Sequence, residues 1–283
     1  GKLTLNGRNL AANDTVLMTT TGKLDWKSGT IYGNGLQNSG TFTISATADV
    51  ALAGTLTNSG LIQQSGTGNL VVNGTLNNAL TGVFDFKTDA GIIGSNVINN
   101  SGVFRKTVGS GVSRIGPSAS SSLYFNQLGG TLDAQSGTLQ LDQTNTSVLE
   151  TGGIWNASAG AILDFEGNTG SGTYFAGTFT GSGGGVVQLS SGRFGIDSSG
   201  ATFNFPTGLL NWTGGAFFSQ PLTNKGTITL SGVNDKALGS TLNNDGHLIM
   251  KGTGNLVMTS PLNNDPTGVI DFQSNSGISG NSS

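Results

Sequence analysis

Six carboxylates, Asp85, Asp133, Asp142, Asp164, Glu166 and Asp271, are the side chains whose type and setting come nearest to catalysis. Hydrolysis of a glycosidic bond needs two carboxyls converging across roughly 5–10 Å, one as acid and one as base or nucleophile. Asp85 and Asp271 stand in the matching motifs GVFDF and GVIDF, flanked by apolar residues. If those neighbours point inward along a strand, the carboxylate between them points outward into water. Asp164 and Glu166 alternate about Phe165 and are the one pair placed to share a face. His247 is the single histidine, and a Ser-His-Asp arrangement needs a base held by a carboxylate beside a nucleophile. With no cysteine, disulfides and thiolate zinc sites are excluded. No phosphate-binding or dinucleotide motif sits in a strand-to-helix setting. The expectation is therefore no enzyme: no catalytic residue, no cofactor and no metal ligand. Arg105 and Lys106 read as a solvated basic edge.

The aromatic residues offer binding rather than chemistry. Trp26 and Trp212 each follow a leucine by two residues (Leu24, Leu210), which puts them on the same inward face of a strand. Trp155 and Tyr174 lie in a less regular stretch, where exposure is expected, and they are the candidate glycan contacts.

What positions these residues is repetition. GKLDW (Gly22–Trp26) returns 186 residues later as GLLNW (Gly208–Trp212), and LNNALTGVFDF (Leu76–Phe86) returns as LNNDPTGVIDF (Leu262–Phe272). The segments 22–97 and 208–283 align without a gap. Inside this long repeat runs a short one: an apolar residue, Asn, Gly, then a short alternating strand, at steps of about 20–23 residues. The Asn of each step gives the series Asn38, Asn58, Asn78, Asn100 and, in the second copy, Asn224, Asn244, Asn264. Periods of this size mark a solenoid in which one repeat is one coil. The strands alternate with period two, and the 48 glycines oppose helix. The fold expected is all-β, a parallel β-helix (β-solenoid) of about 13 coils. Stacked coils then place the Asn series in a ladder with amides hydrogen-bonding along the axis. The glycine after each Asn is expected to supply positive φ at a corner. The chain reads as one continuous segment, 1–283, with 129–185 as irregular middle coils, and the array is expected to continue past Ser283.

Composition narrows the partners. A net charge of −3 leaves no cationic footprint for nucleic acid. No apolar run approaches the roughly 18–20 residues of a membrane helix. Abundant Gly, few charges and no Cys fit an extracellular or cell-surface protein.

The strings INNSGVFRKTVGSGVSRI (Ile98–Ile115), GTLDAQSGTLQLD (Gly130–Asp142) and GAILDFEG (Gly160–Gly167) resemble repeats of large bacterial surface and secreted proteins of the filamentous-haemagglutinin and autotransporter type. That resemblance implies a right-handed β-solenoid, exported and used as a stalk, fibre or adhesin, with no catalytic residues to carry over. The function expected is a structural segment of an extracellular bacterial fibre or surface rod. Its partners would be copies of itself or further repeats of the same chain. The alternatives are an adhesin binding glycans or neighbouring cells through its side surface, and a polysaccharide-active β-helix enzyme.

Overall fold

Strands of three or four residues, alternating apolar and polar and punctuated by Gly and Asn, cannot bury an apolar face alone; stacked in parallel they can. The computed structural model, which describes residues 1–116, 122–143, 148–167 and 172–280, is all-β without a helix. Its parallel sheets stack as a β-solenoid of about 12 turns. The chain forms two compact units, Gly1–Leu141 and Asp142–Ser283.

In the unit Gly1–Leu141 each coil contributes one strand to each of three faces. The first face stacks Lys2–Leu5, Lys23–Trp26, Thr41–Ile44, Leu61–Gln64, Val83–Phe86, Val103–Lys106 and Thr131–Ala134. The second includes Thr30–Tyr32, Val50–Leu52, Leu70–Val72 and Ile92–Gly94. The third runs from Val16–Met18 through Leu36–Asn38, Thr55–Asn58, Thr75–Asn78 and Val97–Asn100 to Tyr124–Gln127. Register is set by burial, because a slip of one residue would carry Thr, Asp or Gln into the core. Thus Leu24, Phe42, Ile62, Phe84, Phe104 and Leu132 occupy one level of the first face and are all buried. Leu36, Leu56, Leu76, Ile98 and Phe125 do the same on the third. Each such side chain contributes about 1.5–3 kcal/mol by leaving water.

In the unit Asp142–Ser283 one face keeps the short-strand pattern: Ile162–Glu166, Val186–Ser191, Leu210–Trp212, Thr227–Leu230, His247–Met250 and Val269–Phe272. Elsewhere the first coils use long strands, Val148–Ala157, Thr173–Thr180 and Arg193–Asn204, with register shifts between Thr151 and Gly153 and between Phe175 and Gly177. Arg193–Asn204 then divides. Its first residues pair with Ala216–Ser219 and its last with Leu222–Asn224, and two regular ladders continue from there. The long repeat maps strand onto strand: Val83–Phe86 corresponds to Val269–Phe272 and Thr41–Ile44 to Thr227–Leu230. Coils outside the regular runs are longer (27 residues separate Asn100 from its ladder partner Gln127), so the turns number about 12 rather than 13.

Phe104 is the keystone of the aromatic core in the first unit. It lies parallel to Phe84 at 4.8 Å and meets Phe125 edge-on at 5.2 Å. Phe104→Ala should lower stability by about 3–5 kcal/mol. In urea denaturation read by amide hydrogen exchange, deprotection should concentrate in the coils holding Phe84 and Phe125, since each coil touches only its neighbours. A uniform loss across the chain would contradict this.

Candidate functional site

The Asn series lines one corner. Asn38 Nδ2 donates to Asn58 Oδ1 at 2.7 Å, Asn58 to Asn78 at 2.7 Å, Asn78 to Asn100 at 2.8 Å, and Asn100 to Gln127 Oε1 at 2.9 Å. In the other unit Asn224 donates to Asn244 and Asn244 to Asn264, both at 2.7 Å. The second amide hydrogen of each also has an acceptor, a backbone carbonyl of the next coil: Leu61 O for Asn38, Val83 O for Asn58, Val103 O for Asn78 and His247 O for Asn224. Asn38, Asn58, Asn78, Asn100, Asn224 and Asn244 are buried, whereas Asn264 is exposed. A buried primary amide is tolerated only when its donors are matched, and the ladder matches them by repetition. Gln127, the longer amide that follows Asn100, was not legible as a member because the coil before it breaks the spacing.

The corner glycines serve a purpose other than the one expected. Gly40, Gly60, Gly82 and Gly102 do not adopt positive φ. They are required because a neighbour is too close. A Cβ on Gly82 would lie 2.3 Å from Asn58 O and 2.4 Å from Asn78 Oδ1, and one on Gly60 would lie 2.4 Å from Gly40 O.

A second set of corner contacts escaped sequence reading. Asp49 Oδ1 accepts the N–H of Asn69 at 2.8 Å, Asn69 Oδ1 that of Gly91 at 3.0 Å, and Asp89 Oδ1 that of Gly111 at 3.1 Å. Asp235 and Asn255 repeat the pattern toward Asn255 and Gly277. The signal was present in the 20-residue recurrence of Asp49, Asn69 and Asp89. A third row lies on the outer surface, half-buried: Asn126 Nδ2 donates to Asn99 Oδ1 at 2.8 Å and Asn99 to Asn77 at 2.9 Å.

The charged residues depart from expectation. Asp85 does point outward from its strand but is fully buried beneath its neighbours. Arg105 donates to its Oδ2 through Nε (3.0 Å) and Nη2 (2.9 Å), Lys87 Nζ lies at 3.1 Å, and Thr107 Oγ1 donates to Oδ1 at 2.7 Å. Lys106 is no solvated edge. Its side chain is fully buried, and Nζ donates to Asp89 Oδ1 (2.7 Å), Thr88 O (3.0 Å) and Ser113 Oγ (3.0 Å). The Lys106 hydrogen bond holds the Asp89 carboxyl below its usual range. Asp142 and Asp164 are buried, Glu166, Asp133 and Asp271 half-buried; Gln135 and Gln273 donate to Asp133 and Asp271. Asp265 shares a hydrogen bond with Asp245, one coil away, which holds its carboxyl above the usual range. His247 is exposed at the start of its strand. Among the described residues no three His, Asp or Glu are grouped to hold a metal ion.

Trp26 and Trp212 face inward and are buried. Trp155, expected at the surface, is fully buried as well. It is enclosed by Phe165 (4.3 Å), Phe179 (4.6 Å), Phe205 (5.5 Å), Phe175 (5.6 Å) and Phe203 (5.8 Å between ring centroids), so it cannot touch a glycan. Tyr174 is half-exposed on the outer surface, edge-on to Phe218. Comparison with known protein families, with curated proteins and with solved structures finds no match.

Two outcomes follow. Asn58→Leu should lower stability by about 1–3 kcal/mol, since Asn38 loses its acceptor and Asn78 its donor; Asn77→Leu, on the half-buried outer row, should cost under about 0.5 kcal/mol. Equal melting temperatures for the two variants would mean the corner ladder carries no weight. Lys236 is fully buried with one acceptor, Asn234 O at 2.7 Å, and burial lowers its pKa from the ordinary 10.5. Below its folded pKa the protein must hold a buried charge, and between that pKa and 10.5 the unfolded chain binds the extra proton, so stability rises with pH. Lys236→Met should therefore be more stable than wild type at pH 7, and the gap should narrow on titration toward pH 10.5.

Proposed function

We propose that this chain is a structural segment of an extracellular bacterial fibre or cell-surface rod, built from tandem solenoid repeats and without catalysis. The observation that carries the reading is the gapless long repeat, in which strand corresponds to strand from one copy to the next. A catalytic site is needed once, whereas a scaffold gains length from every copy, each coil adding about 4.8 Å. The buried amide rows and the aromatic and aliphatic ladders use the same contacts in each coil, so they extend without redesign. Composition supports placement outside the cell: no cysteine, 48 glycines and 10% charged residues. Partners on this reading are further repeats of the same chain or copies of it, joined end to end or side by side. A second reading, an adhesin that engages glycans through its flank, is favoured by the half-exposed Tyr174 on the outer surface.

Electron microscopy of the native material at coil resolution tests the structural reading. Continuous fibres with an axial spacing of about 4.8 Å, and a longer period matching the 186-residue repeat, are expected. Short isolated rods, or rods ending in a globular head, would refute it and move the working part to another segment.

A further inference from the structure

Two register shifts lie side by side in the unit Asp142–Ser283, at Thr151/Gly153 and at Phe175/Gly177. Opposite the second, the next strand bulges: Ile196 still pairs with Phe175, but Gly177 pairs with Ala201, which leaves Asp197, Ser198, Ser199 and Gly200 as a hump. Bulges of this kind re-aim side chains and recur beside binding sites. The hump separates two shallow depressions. One, of about 240 Å³, is lined by Val148, Leu149, Tyr174 and Asp197. The other, of about 400 Å³, is rich in hydroxyls, including Thr178, Ser198, Ser199, Thr202 and Thr223.

Tyr174 is laid down as a platform. The residue beside it in register is Gly195, where a Cβ would come within 2.7 Å of the tyrosine ring and 3.0 Å of Phe218. Glycine there leaves the room that the half-exposed tyrosine ring occupies and that a Cβ would take from it. Phe218 meets it edge-on at 5.6 Å and 74°, and the Arg193 guanidinium sits 4.3 Å above Phe218. Leu149, one rung away in register, is 42% exposed and continues the apolar strip. On the other side, the backbone N–H and hydroxyl of Ser199 hold the Asp197 carboxyl below its usual range, so it stands as an anionic acceptor.

We propose that this hump is a binding subsite for a neutral hexose-containing glycan. The C–H face of a pyranose rests on Tyr174 and Leu149, and its hydroxyls are met by Asp197, Ser199 and Thr178. An apolar strip beside a few convergent polar groups is the chemistry of such a site, because a sugar carries both on one ring. The Asp197 charge disfavours acidic sugars. A protein partner is a poorer fit, since two apolar side chains fall far short of an interface of about 1,000 Å². The subsite rests on the adhesin reading above and deepens it, and it stands apart from the structural role: continuous fibres in electron microscopy neither require it nor oppose it.

Saturation-transfer NMR on the intact chain tests it, with malto-, cello-, manno- and galacto-oligosaccharides as probes and sialyllactose as the acidic control. At least one neutral series should bind at or below about 10 mM and outcompete sialyllactose. Tyr174→Ala should weaken that binding by about tenfold or more, Tyr174→Phe should retain most of it, and Gly195→Ala, which lifts the ring while keeping it, should weaken it. Tyr124→Ala, at an exposed tyrosine in the other unit, should change nothing. Circular dichroism of each variant separates lost binding from lost fold. Absence of neutral-sugar binding at that concentration, preference for sialyllactose, or equal binding by a folded Tyr174→Ala variant would overturn the subsite.

Discussion

Each residue of a regular coil must tolerate a near-copy of itself about 4.8 Å away along the axis. Apolar side chains accept this easily, and they fill the interior as Leu36–Leu56–Leu76–Ile98 and Phe84–Phe104. Amides accept it as well, because each carries both donor and acceptor. Charges do not: a carboxylate under a carboxylate repels, as Asp245 and Asp265 do when both are ionised. The low charge content follows from this constraint, and so does the glycine at the corner, where a neighbouring carbonyl occupies the space of a Cβ.

Where charges are retained, they are made complementary from one coil to the next. Asp85 is followed in register by Arg105, and Lys106 reaches back to Asp89. One member of each pair, Asp85 and Lys106, is fully buried, so removing Arg105 or Asp89 leaves a buried charge short of its ion-pair partner. The pairs therefore favour charged neighbours over uncharged ones: Arg105 stands in register between Asp85 and Asp133. Regular apolar ladders alone do not distinguish one coil from the next, and such sequence-specific pairs do.

Much of this was readable from the chain. Leu36, Leu56 and Leu76 recur at one spacing beside Asn38, Asn58 and Asn78, and period together with residue type sufficed to place both inside. What failed depended on three dimensions. Asp85 alternates outward as its motif implies, yet Lys87 and Arg105 close over it, and covering by neighbours is not a property of local pattern. Lys106 occupies an inward position that only Asp89 and Ser113, brought together by the fold, make tolerable. Trp155 lies in a coil of altered length, where variable turns suggested surface. The longer strands of that region instead enclose a larger aromatic core around it. The hump at Asp197–Gly200 had no signature, since a bulge is a mismatch between two strands and neither strand shows it alone.

The amide rows also have an electrical sense. Along the buried corner every side-chain amide donates toward the higher-numbered coil, from Asn38 to Gln127, so their dipoles point one way and reinforce one another. On the outer surface the row Asn126–Asn99–Asn77 donates in the opposite direction. The two rows oppose each other over the coils they share, much as antiparallel magnets do. From Asn77 to Gln127 the axial dipoles of the two rows therefore offset one another, whereas from Asn38 to Asn78 the buried row points one way by itself.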